Sequence, residues 1–219
     1  MATPKVCGNC YLCGAELGKT AMKNHILKVH RGKDDDQKCY LLKIEGLYNK
    51  NYWLFIDVPI DKTLATVDAF LRRIWLECCG HLSEFTDSAH NEIGSARKVG
   101  SFSVGDTLCH EYDFGSTTET VVTFVGETTR KKQKEPIRLL ARNKPPVFIC
   151  DVCGKPADYI CTECVYDSDN PFYCEACSVV HEHEEMFLPV TNSPRMGECG
   201  YEGELDVYEF DLGNLPERV

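Results

Sequence analysis

Three Cys-x2-Cys pairs follow one another closely in the C-terminal third of the chain. They are Cys150 with Cys153, Cys161 with Cys164, and Cys174 with Cys177. A Cys-x2-Cys turn directs two thiolates towards one tetrahedral cation, and a partner pair completes the ligand shell. Three further candidate ligands follow the pairs: His181, His183 and Cys199. Six Cys and two further ligands are the number that two closed zinc sites require.

Two ways of sharing these ligands are open. In the sequential arrangement, the first and second pairs hold one ion. In the interleaved arrangement, the first and third pairs hold one ion, and the second pair holds the other with two of His181, His183 and Cys199. Only seven residues separate Cys153 from Cys161. This is a short loop for two turns that face the same ion, so the spacing favours the interleaved arrangement.

The interleaved order resembles the cross-brace zinc fingers of the B-box and ZZ types. The resemblance covers about 35 residues and rests on ligand spacing. It implies structural sites, in which four protein ligands leave no position for water or substrate, and a protein-binding role. A segment this short buries little apolar surface, so we expect the metal to supply much of its folding free energy.

A second metal candidate lies near the start of the chain. Its four residues, in the order Cys-x2-Cys-x11-His-x4-His, are Cys10, Cys13, His25 and His30. This spacing is close to that of two-Cys, two-His zinc fingers. It predicts a short helix over residues 21–30, capped by Thr20, with both His on one side. Cys7 is a competing ligand, because Cys7 and Cys10 have the same x2 spacing.

The net charge of −10 is unevenly distributed. Residues 1–38 carry a net charge of +3, residues 39–149 carry none, and residues 150–219 carry −13. An acidic C-terminal third does not favour phosphate backbones and points to protein partners. The basic side chains around the N-terminal finger leave contact with nucleic acid open there. One finger reads only about three base pairs, so it would not be sequence-specific alone.

Fourteen Cys in 219 residues is a high number. The first eleven residues contain no apolar run of the kind that a signal peptide needs. No apolar stretch approaches the roughly 18 to 20 residues that a membrane helix needs. The sequence therefore predicts a cytoplasmic protein with no membrane contact, in which reduced thiols bind zinc.

The middle of the chain has the pattern of an α+β domain, with a mostly antiparallel sheet and one main amphipathic helix. Two β-rich runs, residues 39–44 and 52–58, precede the helix. Apolar residues recur along it at i, i+3, i+4, i+7, i+8 and i+11, namely at Val67, Phe70, Leu71, Ile74, Trp75 and Cys78. We expect this stripe to pack on the sheet. A hairpin of residues 108–114 and 118–125 follows, with a positive φ predicted at Gly115.

Four motifs in this segment also occur together in a known family. They are Tyr52-Trp-Leu-Phe-Ile-Asp-Val-Pro59, Thr63-Leu64, Cys79-Gly80-His81-Leu82-x-x-Phe85 and Tyr112-Asp113-Phe114-Gly115. In their order, residues 39–142 resemble the plasmid pRiA4b ORF-3-like family, whose members are also labelled TnpR or transposon-passenger proteins. The resemblance implies a compact α+β domain, a link to mobile elements by label alone, and no settled activity.

One departure from that family bears on catalysis. Many members follow the Asp-Phe-Gly with Asp-x-Trp-x-His, whereas this chain has Ser116-Thr-Thr-Glu119-Thr. The change removes a His and puts any shared catalytic role in doubt.

Three side chains around the hairpin are the candidates for catalysis: His110, Asp113 and Glu119. With Glu111 and His81 they could form a hydrolytic or hard-metal site, which is the alternative to a binding role. Side chains alternate along a strand, so His110 and Asp113 point to opposite faces unless a bulge intervenes. Asp113 is also suited to accept hydrogen bonds from turn amides. The sequence therefore favours a protein without catalytic activity.

The sequence divides into three parts. Residues 1–32 form the finger, residues 39–146 form the α+β domain, and residues 147–219 form a two-zinc module with an acidic tail. We expect about three zinc ions, one in the finger and two in the module. The favoured function is that of a zinc-binding adaptor, which binds protein or associates with nucleic acid. The partner and the oligomeric state do not follow from the sequence.

Overall fold

A computed structural model describes residues 6–32 and 37–203, so most of the acidic tail lies outside the described residues. The strands are β1 (Cys7–Cys10), β2 (Glu16–Gly18), β3 (Gln37–Gly46), β4 (Trp53–Pro59), β5 (Ser83–Thr86), β6 (Glu92–Ile93), β7 (Thr107–Tyr112), β8 (Thr118–Arg130), β9 (Arg138–Asn143), β10 (Tyr159–Cys161), β11 (Phe172–Tyr173) and β12 (Phe187–Pro189). The helices are α1 (Lys19–Val29), α2 (Leu64–Leu71), α3 (Cys164–Asp167) and α4 (Glu175–Ser178). A π-helical turn (Arg72–Leu76) continues α2, and a 3₁₀ turn spans Val99–Ser101. No helix in this described part is both long and apolar enough to cross a membrane.

Nine of the strands form one sheet, in the order β2-β1-β9-β4-β3-β8-β7-β5-β6. Neighbouring strands in it are antiparallel. The other three strands form a small antiparallel sheet, in the order β11-β10-β12, within the Cys-rich C-terminal region. A mostly antiparallel sheet with few helices is the α+β architecture that the sequence predicts.

Strand β4 is buried along its whole length, because both faces of the main sheet are covered. On one face, Leu54, Ile56 and Val58 share an apolar cluster with α2 and the π-helical turn. Five of the six residues of the predicted stripe are buried: Val67, Phe70, Leu71, Ile74 and Trp75. The sixth, Cys78, lies beyond the π-helical turn and is half-buried against the same cluster. Each large apolar side chain that is buried contributes roughly 1.5–3 kcal/mol, so this face holds α2 firmly on the sheet.

The opposite face of the sheet is covered by the N-terminal segment. Strand β1 pairs with β9, so the backbone of the finger continues the main sheet. Met22 and Ile26 of α1 lie in a second buried cluster with Trp53 and Phe55 of β4. Alternate residues of β4 thus pack on opposite faces of the sheet. The finger packs on one of these faces.

The hairpin of β7 and β8 closes with the pair Tyr112 and Thr118. The residue with left-handed backbone in its loop is Asp113, whose φ is 65°. The prediction of a positive φ at Gly115 is therefore wrong. The Gly115 N–H donates to the Asp113 carboxylate at 3.0 Å. Asp tolerates the left-handed region because its side chain can accept such a local hydrogen bond.

The segment of residues 190–201 returns from the C-terminal region to the central domain. The Ser193 hydroxyl donates to the backbone carbonyl of Trp75 at 2.6 Å. Arg195 is fully buried, and its guanidinium donates to the Asp113 carboxylate at 2.6 Å. These contacts join the end of the described chain to the π-helical turn after α2 and to the hairpin loop. The division of the sequence into three parts stays a prediction.

Candidate metal centres

Four groups of Cys and His side chains bring their ligand atoms within 4.8 Å of one another. A tetrahedral zinc ion with Zn–S of about 2.3 Å and Zn–N of about 2.0–2.1 Å places two sulfurs about 3.8 Å apart. The same geometry gives about 3.6 Å between sulfur and nitrogen and about 3.4 Å between two nitrogens. A disulfide needs an S–S distance of about 2.05 Å, and all fourteen Cys are free thiols. Each of the four groups could therefore hold a metal ion.

The first group, the finger tetrad, consists of Cys10, Cys13, His25 and His30. The Cys13 sulfur lies 3.2 Å from Nε2 of His25 and 3.4 Å from Nε2 of His30. The two Nε2 atoms are 3.2 Å apart. These separations are close to those expected around one cation. The group consists of the same four residues that the sequence pattern selects.

A tight turn and a helix position this tetrad. Cys10 ends β1, and the Gly14 N–H donates to its carbonyl at 2.8 Å, while Gly14 adopts a φ of 77°. Helix α1 begins at Lys19 directly after β2, with Gly18 as its N-cap. The prediction of Thr20 as the cap is therefore wrong, because the extended backbone ends two residues earlier.

Burial opposes ionisation of one thiol in the finger tetrad. Cys10 is fully buried, and this burial raises the pKa of its thiol to about 11. A thiol in this environment ionises at neutral pH only where a cation offsets the charge. Cys7 lies outside the tetrad and sits opposite Gly18 in the pairing of β1 with β2.

The second group, the first module tetrad, consists of Cys150, Cys153, Cys174 and Cys177. It joins the first and third Cys-x2-Cys pairs, which is the interleaved arrangement. The sulfurs of Cys153 and Cys174 are 3.5 Å apart. Each pair forms a tight turn: the Gly154 N–H donates to the Cys150 carbonyl at 3.0 Å, and the Cys177 N–H donates to the Cys174 carbonyl at 3.0 Å.

Backbone hydrogen bonds favour the thiolate form of one Cys in this tetrad. Burial opposes ionisation of Cys150, but backbone N–H groups of Cys174, Cys153 and Val152 donate to its sulfur and lower its pKa to about 6. Cys177 behaves in the opposite way, because its hydrogen bond with the Cys174 sulfur and its burial raise its pKa to about 12. One thiolate forms readily, and the complete set of four needs a cation to offset its charge.

The third group, the second module tetrad, consists of Cys161, Cys164, His181 and His183. The Cys164 sulfur lies 3.3 Å from Nε2 of His181 and 3.6 Å from Nδ1 of His183. The Cys161 sulfur lies 3.7 Å from the same Nδ1. The Tyr173 hydroxyl donates to the Cys164 sulfur at 3.7 Å, and its ring packs on His181 with centroids 4.4 Å apart. Both His of the motif are thus brought to this tetrad.

The fourth group, the bridging tetrad, consists of Cys78, Cys79, His81 and Cys199. The Cys79 sulfur lies 3.5 Å from that of Cys78, 3.7 Å from that of Cys199 and 2.8 Å from Nε2 of His81. The Cys199 sulfur lies 3.2 Å from the same nitrogen. Cys199, which the sequence leaves as an alternative ligand of the module, is therefore placed here and not with Cys161 and Cys164.

The sequence analysis missed the bridging tetrad because its ligands come from distant parts of the chain. Cys199 follows His81 by 118 residues, and no spacing rule links such positions. The Cys-Cys-Gly-His run at residues 78–81 was the available signal. Three potential ligands within four residues need a fourth from elsewhere, and Cys199 was the Cys left over from the module.

The structure does not bring the three catalytic candidates together. Nε2 of His110, which is fully buried, lies 2.8 Å from the Asp68 carboxylate. Asp113 lies beyond the end of β7 and pairs with Arg195. Glu119 is grouped with Cys109 and Glu111 on the opposite side of the hairpin from His110, as alternation along the strands requires.

Comparison with known proteins gives little. No protein-family model matches the chain, and no curated protein matches it. A solved structure with similarity to part of the chain is the crystal structure of a protein of unknown function, MM3350 from Methanosarcina mazei Go1. The identity is 19%, the TM-score is 0.43, and the match covers 49% of this chain and 70% of that one. Similarity at this level supports no inference about function.

Proposed function

We propose that this protein is a zinc-stabilised binding protein without catalytic activity, and that its C-terminal module binds a protein partner. The module is defined here as residues 147–203, the described part of the region that carries both module tetrads. Cys and His donors in tetrahedral groups suit zinc. A site with four protein ligands has no open position for water or substrate, so its role is to hold structure. The finger tetrad and the two module tetrads would take about three ions.

The observation that carries the proposal is the exposure of large apolar side chains on the module. Tyr166 is 79% exposed, Val179 is 66% exposed and Val180 is 80% exposed. Further members of this exposed set in the module are Val147, Ile149, Val152 and Met186. Apolar side chains that stay in contact with water on a small, metal-held module are typical of an interaction surface.

Charge indicates the kind of partner. Residues 150–203 contain eleven acidic residues and two basic residues, and one of those two, Arg195, is fully buried. An acidic surface attracts basic segments and accelerates their association. The module is therefore suited to a protein segment that combines Lys or Arg with aliphatic or aromatic side chains.

Nucleic acid is less well supported as a partner of the finger. The inner face of α1, with Met22 and Ile26, packs on the main sheet. Lys19 is already paired with Glu45 at 2.6 Å. The hydrolase alternative needs His110, Asp113 and Glu119 to act together, and their partners lie in different places.

Two further elements of the proposal concern origin and location. Membership of the pRiA4b ORF-3-like family, with its link to mobile elements, is proposed on the motifs of residues 39–142 alone. A reducing compartment such as the cytoplasm would keep the fourteen thiols free to bind metal.

A peptide-display library sorted against the full-length, zinc-loaded protein tests this function. We expect enrichment of peptides that place Lys or Arg beside apolar residues. Binding should fall at least tenfold in a Tyr166→Ser, Val180→Ser variant and remain unchanged in Tyr48→Ser, which alters an equally exposed Tyr outside the module. Enrichment that ignores the Tyr166 and Val180 changes would contradict the proposal.

A parallel titration with fluorescent duplex DNA separates the second partner class. Binding that weakens with salt and survives the module variant would assign nucleic acid, and not protein, as the partner.

A further inference from the structure

We propose that Cys78, Cys79, His81 and Cys199 bind a further zinc ion, which fastens the end of the described chain to the central domain. This proposal is independent of the partner proposed for the module. Three sulfurs and one imidazole nitrogen form a donor set typical of structural zinc. Their separations of 2.8 to 3.7 Å fit one shared cation better than three unrelated thiols and a ring.

Hydrogen bonds to the Glu77 carboxylate fix the loop that carries three of these ligands. The Glu77 carboxylate accepts the Gly80 N–H at 2.6 Å. The same side chain accepts the Arg72 guanidinium at 2.6 Å and the Tyr112 hydroxyl at 3.1 Å. Gly80 has a φ of 79°, which turns the chain sharply between Cys79 and His81. Fixed backbone of this kind positions ligands before the metal arrives.

The fourth ligand sits on an unusual turn. Cys199 has a φ of 46°, and it lies between Gly197 and Gly200, whose φ values are 85° and 68°. A side chain in left-handed backbone is uncommon and persists where the surroundings hold it. The turn directs the Cys199 sulfur to 3.2 Å from the His81 ring nitrogen. A cation bound by both side chains would explain why Cys199 keeps this left-handed backbone conformation.

A buried positive charge lies beside the tetrad. Three thiolates around a divalent cation leave one net negative charge. The Arg195 guanidinium, fully buried, donates to the Cys78 sulfur at 3.4 Å and to the Asp113 carboxylate at 2.6 Å. The guanidinium thus lies between two anionic groups, as a buried charge requires. A hydrogen bond to a ligand sulfur is also the usual way in which a protein tunes a metal–thiolate site.

The proposed ion would act as a long-range crosslink. It would join residues 78–81 to a position 118 residues later than His81, and it would close a large loop that includes both module tetrads. Cys79 and Cys199 are exposed, whereas Cys10, Cys150 and Cys161 each give their own tetrads a buried ligand. The bridging tetrad should therefore be the first of the four to lose metal to a chelator.

Native mass spectrometry of the full-length protein, purified under reducing conditions, tests the proposal. We expect four zinc ions in the wild-type chain, one for each Cys/His tetrad. Cys199→Ser and His81→Ala should each bind one ion fewer. Cys7→Ser, which changes a thiol outside all four tetrads, should bind the same number as the wild type. An unchanged count in both Cys199→Ser and His81→Ala would overturn the proposal.

A second measurement on the wild type does not depend on variants that fold. Cys79 and Cys199 are exposed, yet in the zinc-loaded protein iodoacetamide should alkylate them at least tenfold more slowly than after chelation. Rapid alkylation with zinc present would overturn the site. A Cys78–Cys79 disulfide in the reduced-purified protein, seen as a mass two daltons lower, would also overturn it and assign the pair to redox chemistry.

Discussion

The two ends of the chain carry similar Cys/His tetrads on very different amounts of apolar packing. In the finger, β1 pairs with β9 of the main sheet, and Met22 and Ile26 share a buried cluster with Trp53 and Phe55. Apart from Cys, the buried apolar residues of the described module are Ile160, Tyr173 and Tyr201. The finger and the module therefore have similar ligands, but the finger has more apolar packing to stabilise it.

The difference in apolar packing indicates how much of the folding free energy of each region would come from a bound metal. Burial of one large apolar side chain contributes roughly 1.5–3 kcal/mol, and apparent zinc affinities in small fingers reach about 10–16 kcal/mol. With zinc bound as proposed, the finger would have both sources of free energy, because it packs on the main sheet. The module would have mainly the second, so its fold should be lost when its ions are removed.

The largest effect is expected from removing one module site. The double variant Cys161→Ser, Cys164→Ser leaves too little buried apolar surface to order residues 150–189. We expect their amide hydrogen exchange to approach that of an unfolded chain, while β3, β4 and β8 keep their protection. Hydrogen-exchange mass spectrometry measures both regions together, with Cys7→Ser as the control. Retained protection across the module would show that packing, not metal, holds it.

The finger should respond more mildly to the same kind of change. In Cys13→Ser the cation is lost, but Met22 and Ile26 keep their places against the sheet. We therefore expect α1 to exchange faster than in the wild type and still more slowly than an unfolded peptide. If α1 lost all protection, as the module does in its own variant, the contrast between the two ends would be wrong.

Packing within the finger can be tested with the metal left in place. Ile26→Ala should lower the free energy of unfolding by about 2–5 kcal/mol, because it opens a cavity in a fully buried cluster. Val29→Ala on the same helix is the control, since Val29 is 61% exposed and should change stability by less than about 0.5 kcal/mol. Urea unfolding monitored by Trp fluorescence gives both values. Equal effects at the two positions would remove the cluster from the account.

A buried pair in the central domain, His110 and Asp68, lies outside the four tetrads and tests stability that does not depend on metal ligands. Nε2 of the fully buried His110 lies 2.8 Å from the Asp68 carboxylate. Burial opposes ionisation of Asp68, but hydrogen bonds from His110 and Ser83 outweigh it and lower its pKa. Asp68→Ala should cost about 1–3 kcal/mol, because it leaves the buried imidazole without its acceptor. Asp68→Asn, which keeps an acceptor, should cost less.

The pH dependence of this pair has a definite sign. A carboxyl whose pKa is lower in the folded protein adds stability above its unfolded pKa of about 3.9 and loses it as pH falls through the folded value. The stability difference between wild type and Asp68→Asn should therefore be constant near neutral pH and shrink in acid. Metal loss in acid is common to both proteins, so the difference between them is the quantity to measure. A difference that grows in acid would contradict the assignment.

Local patterns in the sequence were enough for much of this fold. The stripe from Val67 to Trp75 predicts the buried face of α2 and of the π-helical turn that continues it, because helical periodicity depends on residues close together in the chain. The spacing of the ligands selects the finger group and the group of the first and third Cys-x2-Cys pairs, since each such turn is local. It leaves the choice among His181, His183 and Cys199 open, and the structure groups the two His with Cys161 and Cys164.

Features set by distant contacts could not be predicted in this way. The pairing of β1 with β9 joins residues more than 130 positions apart, so the sequence gives no sign that the finger extends the main sheet. The bridging tetrad depends on the return of residues 190–201 to the π-helical turn after α2 and to the loop that follows it. The left-handed backbone at Asp113 depends on its contacts with Gly115 and Arg195, and turn preferences alone favour glycine.

The central claim is that the paired Cys residues bind zinc ions, and that these ions stabilise the finger and the module. Zinc counting by native mass spectrometry on reduced, full-length protein tests it most directly, with single Ser variants at Cys13, Cys153 and Cys164. The account predicts at least three ions per wild-type chain and the loss of one ion in each variant. A wild-type chain with one ion or none, or with these thiols joined as disulfides, would contradict it.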